Sequence, residues 1–283
     1  DVADEVGLSR DAVVVSGVHD QIAAALGCGA LKHGDVADGI GSAECLIAPL
    51  PENPDYPAMF KGNICAEPHA VPGRCVALAF TNAAGAALKW YRDNFEPELR
   101  RECEQTGENA YAVLNARMSD EPSPLLMLPY LAGTGTPYMD GKATGMIAGL
   151  TLASTRMDIY RAIYEGMNFE LRVNLELLRD TGFKVNALTA GGGGASSEAL
   201  RIKAEILNTP IWTLKNRQSG TVGMAMLCSV AMGRFASFEQ AAEALVKRDT
   251  LIEPTGKYRA LYEDKYGRYL EMYAASRRIF GRD

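Results

Sequence analysis

Asp20 has the residue type and the setting that a general base requires. It lies in residues 13–21 (VVVSGVHDQ), directly before a small-residue segment that ends at Gly27. The β-branched run predicts a buried strand over 12–17, and the following residues predict a helix over 20–27. A carboxylate between such a strand and a helix N-terminus points into a cleft, where a substrate hydroxyl can reach it. Asp is also a favoured N-cap residue, so the alternative is that Asp20 only caps the helix.

A run of four glycines, Gly191 to Gly194, is the second candidate site. It joins a predicted strand over 185–190 to a predicted helix over 196–207. Such a loop lets a ligand press against the backbone beside a helix N-terminus, which suits the phosphates or the adenosine of a nucleotide. No Gly-Lys-Ser/Thr follows, so the run is not a Walker loop. A tight turn is the simpler interpretation, but a turn does not require four glycines.

A third candidate is the turn that contains Gly41 and Ser42, within residues 38–44 (DGIGSAE). A hydroxyl and backbone N–H groups on such a turn can bind a phosphate, although most Gly-Ser turns have no function. Among the three histidines, His19 is placed to share the cleft with Asp20. We expect the other two, His33 and His69, to be structural.

The elements that must position these residues alternate between strands and helices. Residues 35–48 and 71–80 predict strands of a hairpin or meander, and 49–62 predict a loop. Apolar residues recur with a helical period over 156–179, which predicts the longest helix. This order is typical of an α/β fold with a mixed or parallel sheet.

The composition excludes several classes of protein. The chain has 283 residues, 47% of them hydrophobic, and a net charge of −6 without a basic stripe, so we expect no nucleic-acid partner. No apolar run reaches ~18 residues, so we expect no membrane partner. The six cysteines show no metal-ligand spacing and no disulfide framework, which favours reduced thiols and a cytoplasmic protein.

Together these segments resemble the carboxyl-terminal half of the FGGY carbohydrate kinases. Five segments carry the resemblance in the family's order: 17–27 (GVHDQIAAALG), 41–43 (GSA), 69–93, 128–151 and 191–207. The resemblance covers residues 10 to 275, so we expect residues 1–283 to form one C-terminal FGGY kinase domain, with the N-terminal sugar-binding domain absent from this chain. It implies an actin-like ATPase (ribonuclease H-like) fold, with a mixed sheet flanked by helices.

The resemblance implies an ATP-dependent carbohydrate kinase, with Asp20 as the catalytic base that takes the proton from a sugar hydroxyl. The residues that it implies for binding are Gln21 and His19 for the sugar, and Gly41, Ser42, Gly149, Gly191, Gly192, Gly193 and Ser196 for the nucleotide. ATP and Mg²⁺ are the implied cofactors, with Mg²⁺ bridging the phosphates and no metal ligand singled out in the chain. Residues 69–93 are closer to xylulokinase and gluconokinase than to glycerol kinase, which favours a ketopentose or a sugar acid.

Two residues depart from the family's pattern. Ser42 stands where Thr is usual, and His19 stands where Gly is common, which would reshape the sugar pocket or alter Asp20. The expected partners are the sugar, the chain's own N-terminal kinase domain and a possible second copy in a homodimer. We expect this half alone to be inactive or weak.

Two alternatives remain open from the sequence. One is a non-catalytic regulatory member of the same fold that binds a nucleotide without phosphoryl transfer. The other is a Rossmann-type dehydrogenase, which rests only on the glycine run.

Overall fold

The structure of the chain, a computed structural model, describes residues 2–280. Its helices are α1 (Val2–Glu5), α2 (Asp20–Gly27), α3 (Tyr56–Lys61), α4 (Gly85–Phe95), α5 (Pro97–Thr106), α6 (Ala110–Arg117), α7 (Arg156–Asp180), α8 (Ser197–Leu207), α9 (Ser219–Ala231), α10 (Phe238–Leu245) and α11 (Arg259–Ile279). Its strands are β1 (Gly34–Ile40), β2 (Glu44–Pro49), β3 (Cys65–Pro68), β4 (Cys75–Thr81), β5 (Leu126–Leu128), β6 (Met146–Ala148), β7 (Val185–Gly191), β8 (Ile211–Leu214) and β9 (Arg248–Ile252).

Seven of these strands form one mixed sheet in the order β3-β4-β2-β1-β7-β8-β9. The pairs β3–β4, β4–β2, β2–β1 and β8–β9 are antiparallel, whereas β1–β7 and β7–β8 are parallel. β5 and β6 form a separate antiparallel pair. The predicted mixed sheet is therefore confirmed, and the all-parallel alternative is wrong. The antiparallel meander β1-β2-β4 is also incompatible with a Rossmann-type dehydrogenase, whose sheet is mostly parallel.

Both faces of the sheet are covered because side chains alternate along each strand. Along β1, Val36 packs into the cluster that contains Leu171 and Leu200 from α7 and α8. The next residue, Ala37, packs on the opposite face with Ile22 of α2. The sheet therefore lies between α7 and α8 on one side and α2 on the other, with α9 packed against α2.

The longest helix, α7, serves two cores. It begins at a capping box in which Thr155 and Asp158 satisfy each other's backbone N–H groups. Its second half packs on the sheet, while its first half packs into a separate cluster built from α4, α5, α6, β5 and α11. The predicted helix over 156–179 is confirmed.

The strand predicted over 12–17 is wrong. None of these residues pairs with another strand of the described chain, and Val14 is 94% exposed. A β-branched run fits a pleated surface, yet it becomes a strand only where a partner strand accepts its hydrogen bonds. The loop predicted over 49–62 also contains a helix, α3, because Asp55 caps it by accepting from the backbone N–H of Ala58.

Candidate functional site

Asp20 is the first residue of α2, and its side chain is 83% exposed. His19 occupies the N-cap position, and no side chain makes a capping hydrogen bond there. The interpretation of Asp20 as only a helix cap is therefore wrong. Its carboxylate is exposed at a helix N-terminus, where the helix dipole favours negative charge. The buried strand expected before Asp20 is also wrong for the described residues, because the segment over 12–19 is mostly exposed.

Two glycines set the position of α2 against α9. A Cβ on Gly27 would lie 1.8 Å from the carbonyl oxygen of Ser219, and a Cβ on Gly223 would lie 1.9 Å from that of Ala23. Real Cβ atoms do not approach carbonyl oxygens this closely, so the two helix backbones can touch only because both positions are glycine. This close crossing holds α2 and thereby the position of Asp20.

Gln21 links the start of α2 to the sheet. Its side-chain oxygen Oε1 is 3.1 Å from the place that a Cβ on Gly39 of β1 would occupy. Gly39 lies two residues before Gly41, the first residue of the turn between β1 and β2. The structure therefore brings Gln21 close to the predicted phosphate turn.

The turn itself is exposed, and backbone N–H groups at the start of α4 hold it by hydrogen bonds. Gly41, Ser42 and Ala43 are all exposed, and the Gly41 N–H donates to the Ala43 carbonyl (2.9 Å). The N–H groups of Gly85 and Ala86, at the start of α4, donate to the carbonyls of Gly41 (3.0 Å) and Ser42 (3.1 Å). The Ser42 hydroxyl is thus presented on a fixed backbone.

The glycine loop after β7 packs directly on the end of β1. Gly192 has a φ of +98°, and a Cβ there would lie 2.3 Å from the carbonyl oxygen of Ile40. The Gly194 N–H donates to that same carbonyl (3.3 Å), and the Gly192 N–H donates to the carbonyl of Arg217 (2.9 Å). Gly193 is exposed with nothing near its missing Cβ, so it is the glycine of this loop most open to a ligand.

The two ends of the loop are less open. Gly191 is buried at the end of β7, against Ser219 and Cys28. The Ser196 hydroxyl caps α8 by accepting from the Ala199 N–H, and it also accepts from the Asn115 side chain. Its oxygen is therefore occupied, and only its hydrogen remains to be donated.

Gly149 follows β6, is exposed and has a φ of +90°. The atoms nearest to a Cβ at this position belong to Pro124 and Leu125. The structure thus places Gln21, next to Asp20, and the 191–194 loop against β1, which leads into the 41–43 turn, and the role predicted for Gly149 stays a prediction.

A buried ion cluster behind the turn was missed from the sequence. Lys203 of α8 donates to Asp38 Oδ2 of β1 (2.5 Å) and to Glu44 Oε1 of β2, and all three side chains are at most 4% exposed. The cluster ties the glycine-loop helix to both strands of the turn. A signal was present in the two carboxylates that flank the turn, but nothing in the sequence indicates their cation, 165 residues from Asp38.

A second missed residue is Glu67 of β3. Its Oε2 is 3.1 Å from Nδ1 of His19, whose Nε2 is 3.2 Å from Oδ1 of Asp20.

Of the other two histidines, His69 is buried between Ala30 and Val71, and burial lowers its pKa. That contact agrees with the structural role expected for His69.

The described residues do not form a cage of protein ligands for Mg²⁺. No group of three His, Cys, Asp or Glu side chains is clustered for a metal within residues 2–280. The two carboxylates next to the turn, Asp38 and Glu44, are engaged by Lys203. In ATP-dependent enzymes Mg²⁺ is commonly held largely by the substrate phosphates, which is the arrangement that these residues leave open.

The remaining general expectations concern the thiols and the membrane. All six cysteines are free in the structure, as expected for reduced thiols. Within residues 2–280, no helix combines the length and the apolar character needed to cross a bilayer.

Comparison with known proteins gives a family match. Residues 40–232 match the model of the FGGY family of carbohydrate kinases, C-terminal domain. The xylulose kinase of Staphylococcus epidermidis is 30% identical over 98% of this chain and 54% of its own length. The xylulose kinase of Bacillus subtilis is 30% identical over 96% of this chain and 53% of its own length. The chain therefore spans about half the length of the curated relatives it matches.

A solved structure gives the same match at the level of the fold. The crystal structure of xylulose kinase from Rhodospirillum rubrum superposes with a TM-score of 0.82 and 28% identity, over 99% of this chain and 55% of that one. The expected fold, an actin-like ATPase fold with a mixed sheet flanked by helices, is confirmed.

Proposed function

Since the chain belongs to the FGGY family of carbohydrate kinases, we propose that it is the nucleotide-binding half of an ATP-dependent sugar kinase in which Asp20 is the catalytic base. In this reaction the Asp20 carboxylate takes the proton of a sugar hydroxyl while the hydroxyl oxygen attacks the γ-phosphate of ATP. The observation that carries the proposal is the exposed carboxylate at the N-terminus of α2, next to Gln21, whose side chain approaches the strand that leads into the 41–43 turn.

The positions of the contributing elements suit phosphoryl transfer. The reaction needs positioning and charge stabilisation more than covalent chemistry from the protein. In the proposal Gly41 and the Ser42 hydroxyl meet the γ-phosphate, and the loop from Gly191 to Gly193 with Ser196 borders the rest of the nucleotide. In the proposal Gly149, exposed after β6, lines the phosphate site as well.

The proposed cofactors are ATP and Mg²⁺. Mg²⁺ would arrive bound to the phosphates and would supply charge neutralisation there. The chain's own residues hold the turn, the loop and the start of α2 in place. They do so through the close approach of Gly192 to Ile40 and of Gln21 to Gly39.

The proposed substrate is a ketopentose, with a sugar acid as the second choice. Several relatives that match over nearly the whole chain are named xylulose kinases, and another that does so is named a ribulokinase. Gln21 and His19 are the residues of this chain placed to contact the sugar beside Asp20. Most sugar contacts are proposed to come from a preceding N-terminal domain, since the relatives are about twice as long.

The test uses the full-length protein and a panel of sugars. We expect phosphorylation of a ketopentose and its near-complete loss in Asp20→Asn, with the affinity for ATP, measured by calorimetry, unchanged. Glu108→Gln, on an exposed stretch before α6, is the matched control and should retain turnover. Full turnover in Asp20→Asn would overturn the assignment of the base, and binding of ATP without turnover on any sugar would favour the non-catalytic alternative.

A further inference from the structure

The imidazole of His19 lies between two carboxylates. Its Nδ1 is 3.1 Å from Glu67 Oε2, and its Nε2 is 3.2 Å from Asp20 Oδ1. The exposed fractions of the side chains fall along this chain of contacts, from 83% for Asp20 to 49% for His19 and 28% for Glu67. Glu67 is thus the most enclosed of the three, and it stands on a strand of the central sheet.

We propose that His19, held in place by Glu67, is a positioning residue for Asp20; the proposal rests on the function proposed above. An exposed aspartate has several rotamers, whereas a general base must hold one orientation within hydrogen-bond reach of the substrate hydroxyl. A ring anchored on β3 through its Nδ1 limits that freedom by contacting Asp20 Oδ1 through its Nε2.

The positioning role requires the ring to donate to both neighbours. A ring that carries hydrogens on both nitrogens donates Nδ1–H to Glu67 and Nε2–H to Asp20 Oδ1, so each carboxylate accepts one hydrogen bond from it. Oδ2 of Asp20 is then left to take the proton of the sugar hydroxyl. As that O–H bond breaks, its electron pair stays on the sugar oxygen, which attacks the γ-phosphate.

The other ionisable groups at this face do not compete for that role. The Cys65 thiol donates to Glu67 Oε1 (3.7 Å), and its pKa is raised, first by burial and then by Glu67. Burial raises the pKa of Cys45 to about 12, and nearby carboxylates, Asp20 and Glu67 among them, add to the effect. Both thiols therefore stay neutral, and within the described residues His19 is the basic group paired with Asp20 and Glu67.

The test compares His19→Ala, Glu67→Gln and the double variant in the full-length kinase, with Glu108→Gln as the control. We expect His19→Ala to lower kcat by about tenfold to a hundredfold, the range for a group that orients a functional residue through a hydrogen bond. The KM for ATP should not change. Glu67→Gln should lower kcat less, and both variants should alter the acid limb of the pH profile of kcat.

A double-mutant cycle separates positioning from a general structural effect. If Glu67 acts through His19, the double variant is no slower than His19→Ala alone, whereas independent effects would multiply. Multiplying effects, or a wild-type kcat and acid limb in both single variants, would overturn the proposal. If Asp20→Asn retained turnover in parallel assays, the proposed function would fail instead, so the two failures are distinguishable.

Discussion

Two pairs of carboxylates lie near the 41–43 turn, and they differ in almost every physical respect. Asp38 and Glu44, behind the turn, are at most 1% exposed and share the ammonium group of Lys203. Asp20 and Glu67, in front, are partly or largely exposed and share only the imidazole of His19. A buried charge needs a partner, whereas an exposed one is stabilised by water.

The protonation of the buried group follows from this difference. Burial raises the pKa of Glu44 to about 8, and Asp38 adds to that shift. The two carboxylates in turn raise the pKa of Lys203. The cluster is therefore held together by the Lys203 ammonium, which lies between two buried acidic side chains. Its role is to join β1, β2 and α8, while the exposed carboxylate of Asp20 is left available for chemistry.

Removing the shared cation should be the most damaging change. Lys203→Met would leave Asp38 and Glu44 buried without a counter-charge, which costs about 3–5 kcal/mol for a buried pair that loses one partner. Urea denaturation would measure this as a loss of unfolding free energy. Lys215→Met, at an exposed lysine, is the control and should change it by less than about 0.5 kcal/mol. A loss below about 1 kcal/mol for Lys203→Met would mean that the cluster is not dry.

Another acidic side chain, Glu170, extends the comparison because it is buried with tyrosine hydroxyls as its partners. Its Oε2 accepts from the hydroxyls of Tyr130 (2.7 Å) and Tyr269 (2.8 Å), and burial raises its pKa to about 7. The folded state thus keeps the proton that the unfolded state releases near pH 4.5. Stability contributed by this group is present at low pH and is lost as the pH rises towards 7.

The pH dependence of Glu170→Gln tests this. Between pH 5 and pH 8 the parent protein should lose about 3 kcal/mol more unfolding free energy than the variant, from about 1.4 kcal/mol for each pH unit of the shift. Glu271→Gln, on the exposed side of α11, should keep the parent's pH dependence. Parallel pH curves for the parent and Glu170→Gln would show that Glu170 is ionised when buried.

The position of the exposed Asp20 depends on the buried packing of α2 against α9, and a substitution at their crossing tests this dependence. Gly223→Ala would drive a Cβ into the carbonyl of Ala23, so the helices must move apart at a cost of about 1–3 kcal/mol. We expect turnover in the full-length protein to fall as the helices move apart, because α2 carries Asp20. Gly220→Ala, in the same helix but with nothing within 4 Å, should not destabilise. Equal stability of the two variants would contradict the close crossing.

The sequence predicted the elements that carry their own boundary signals. The helix over 20–27 has the bounds of α2, and the glycine run lies between a strand and a helix as predicted. The edge strands β3 and β9 were missed because their residues are mostly exposed and show no apolar alternation. The strand predicted over 12–17 failed for the opposite reason, since its pattern is strong and no described strand pairs with it.

The candidate site was predictable in its residues but not in its contacts. Asp20, Gln21 and the turn were found from local patterns and from the resemblance to a family. The partners that set their environment, Lys203 and Glu67, lie on distant elements, and only the fold brings them close. Local sequence fixes backbone conformation, whereas charge pairing across the sheet depends on topology that a single sequence does not display.

The smallest expected change in stability is at Asp20 itself. Asp20→Asn removes a charge that is 83% exposed and makes no capping hydrogen bond, so it weakens an exposed contact with His19 and loses the interaction with the N-terminus of α2. That interaction is worth about 0.3–1 kcal/mol at an exposed site. Thermal and urea unfolding of the full-length protein should therefore change little even though turnover is abolished. A loss as large as that of Lys203→Met would place Asp20 with the buried carboxylates and would remove the contrast between the two sides of the turn.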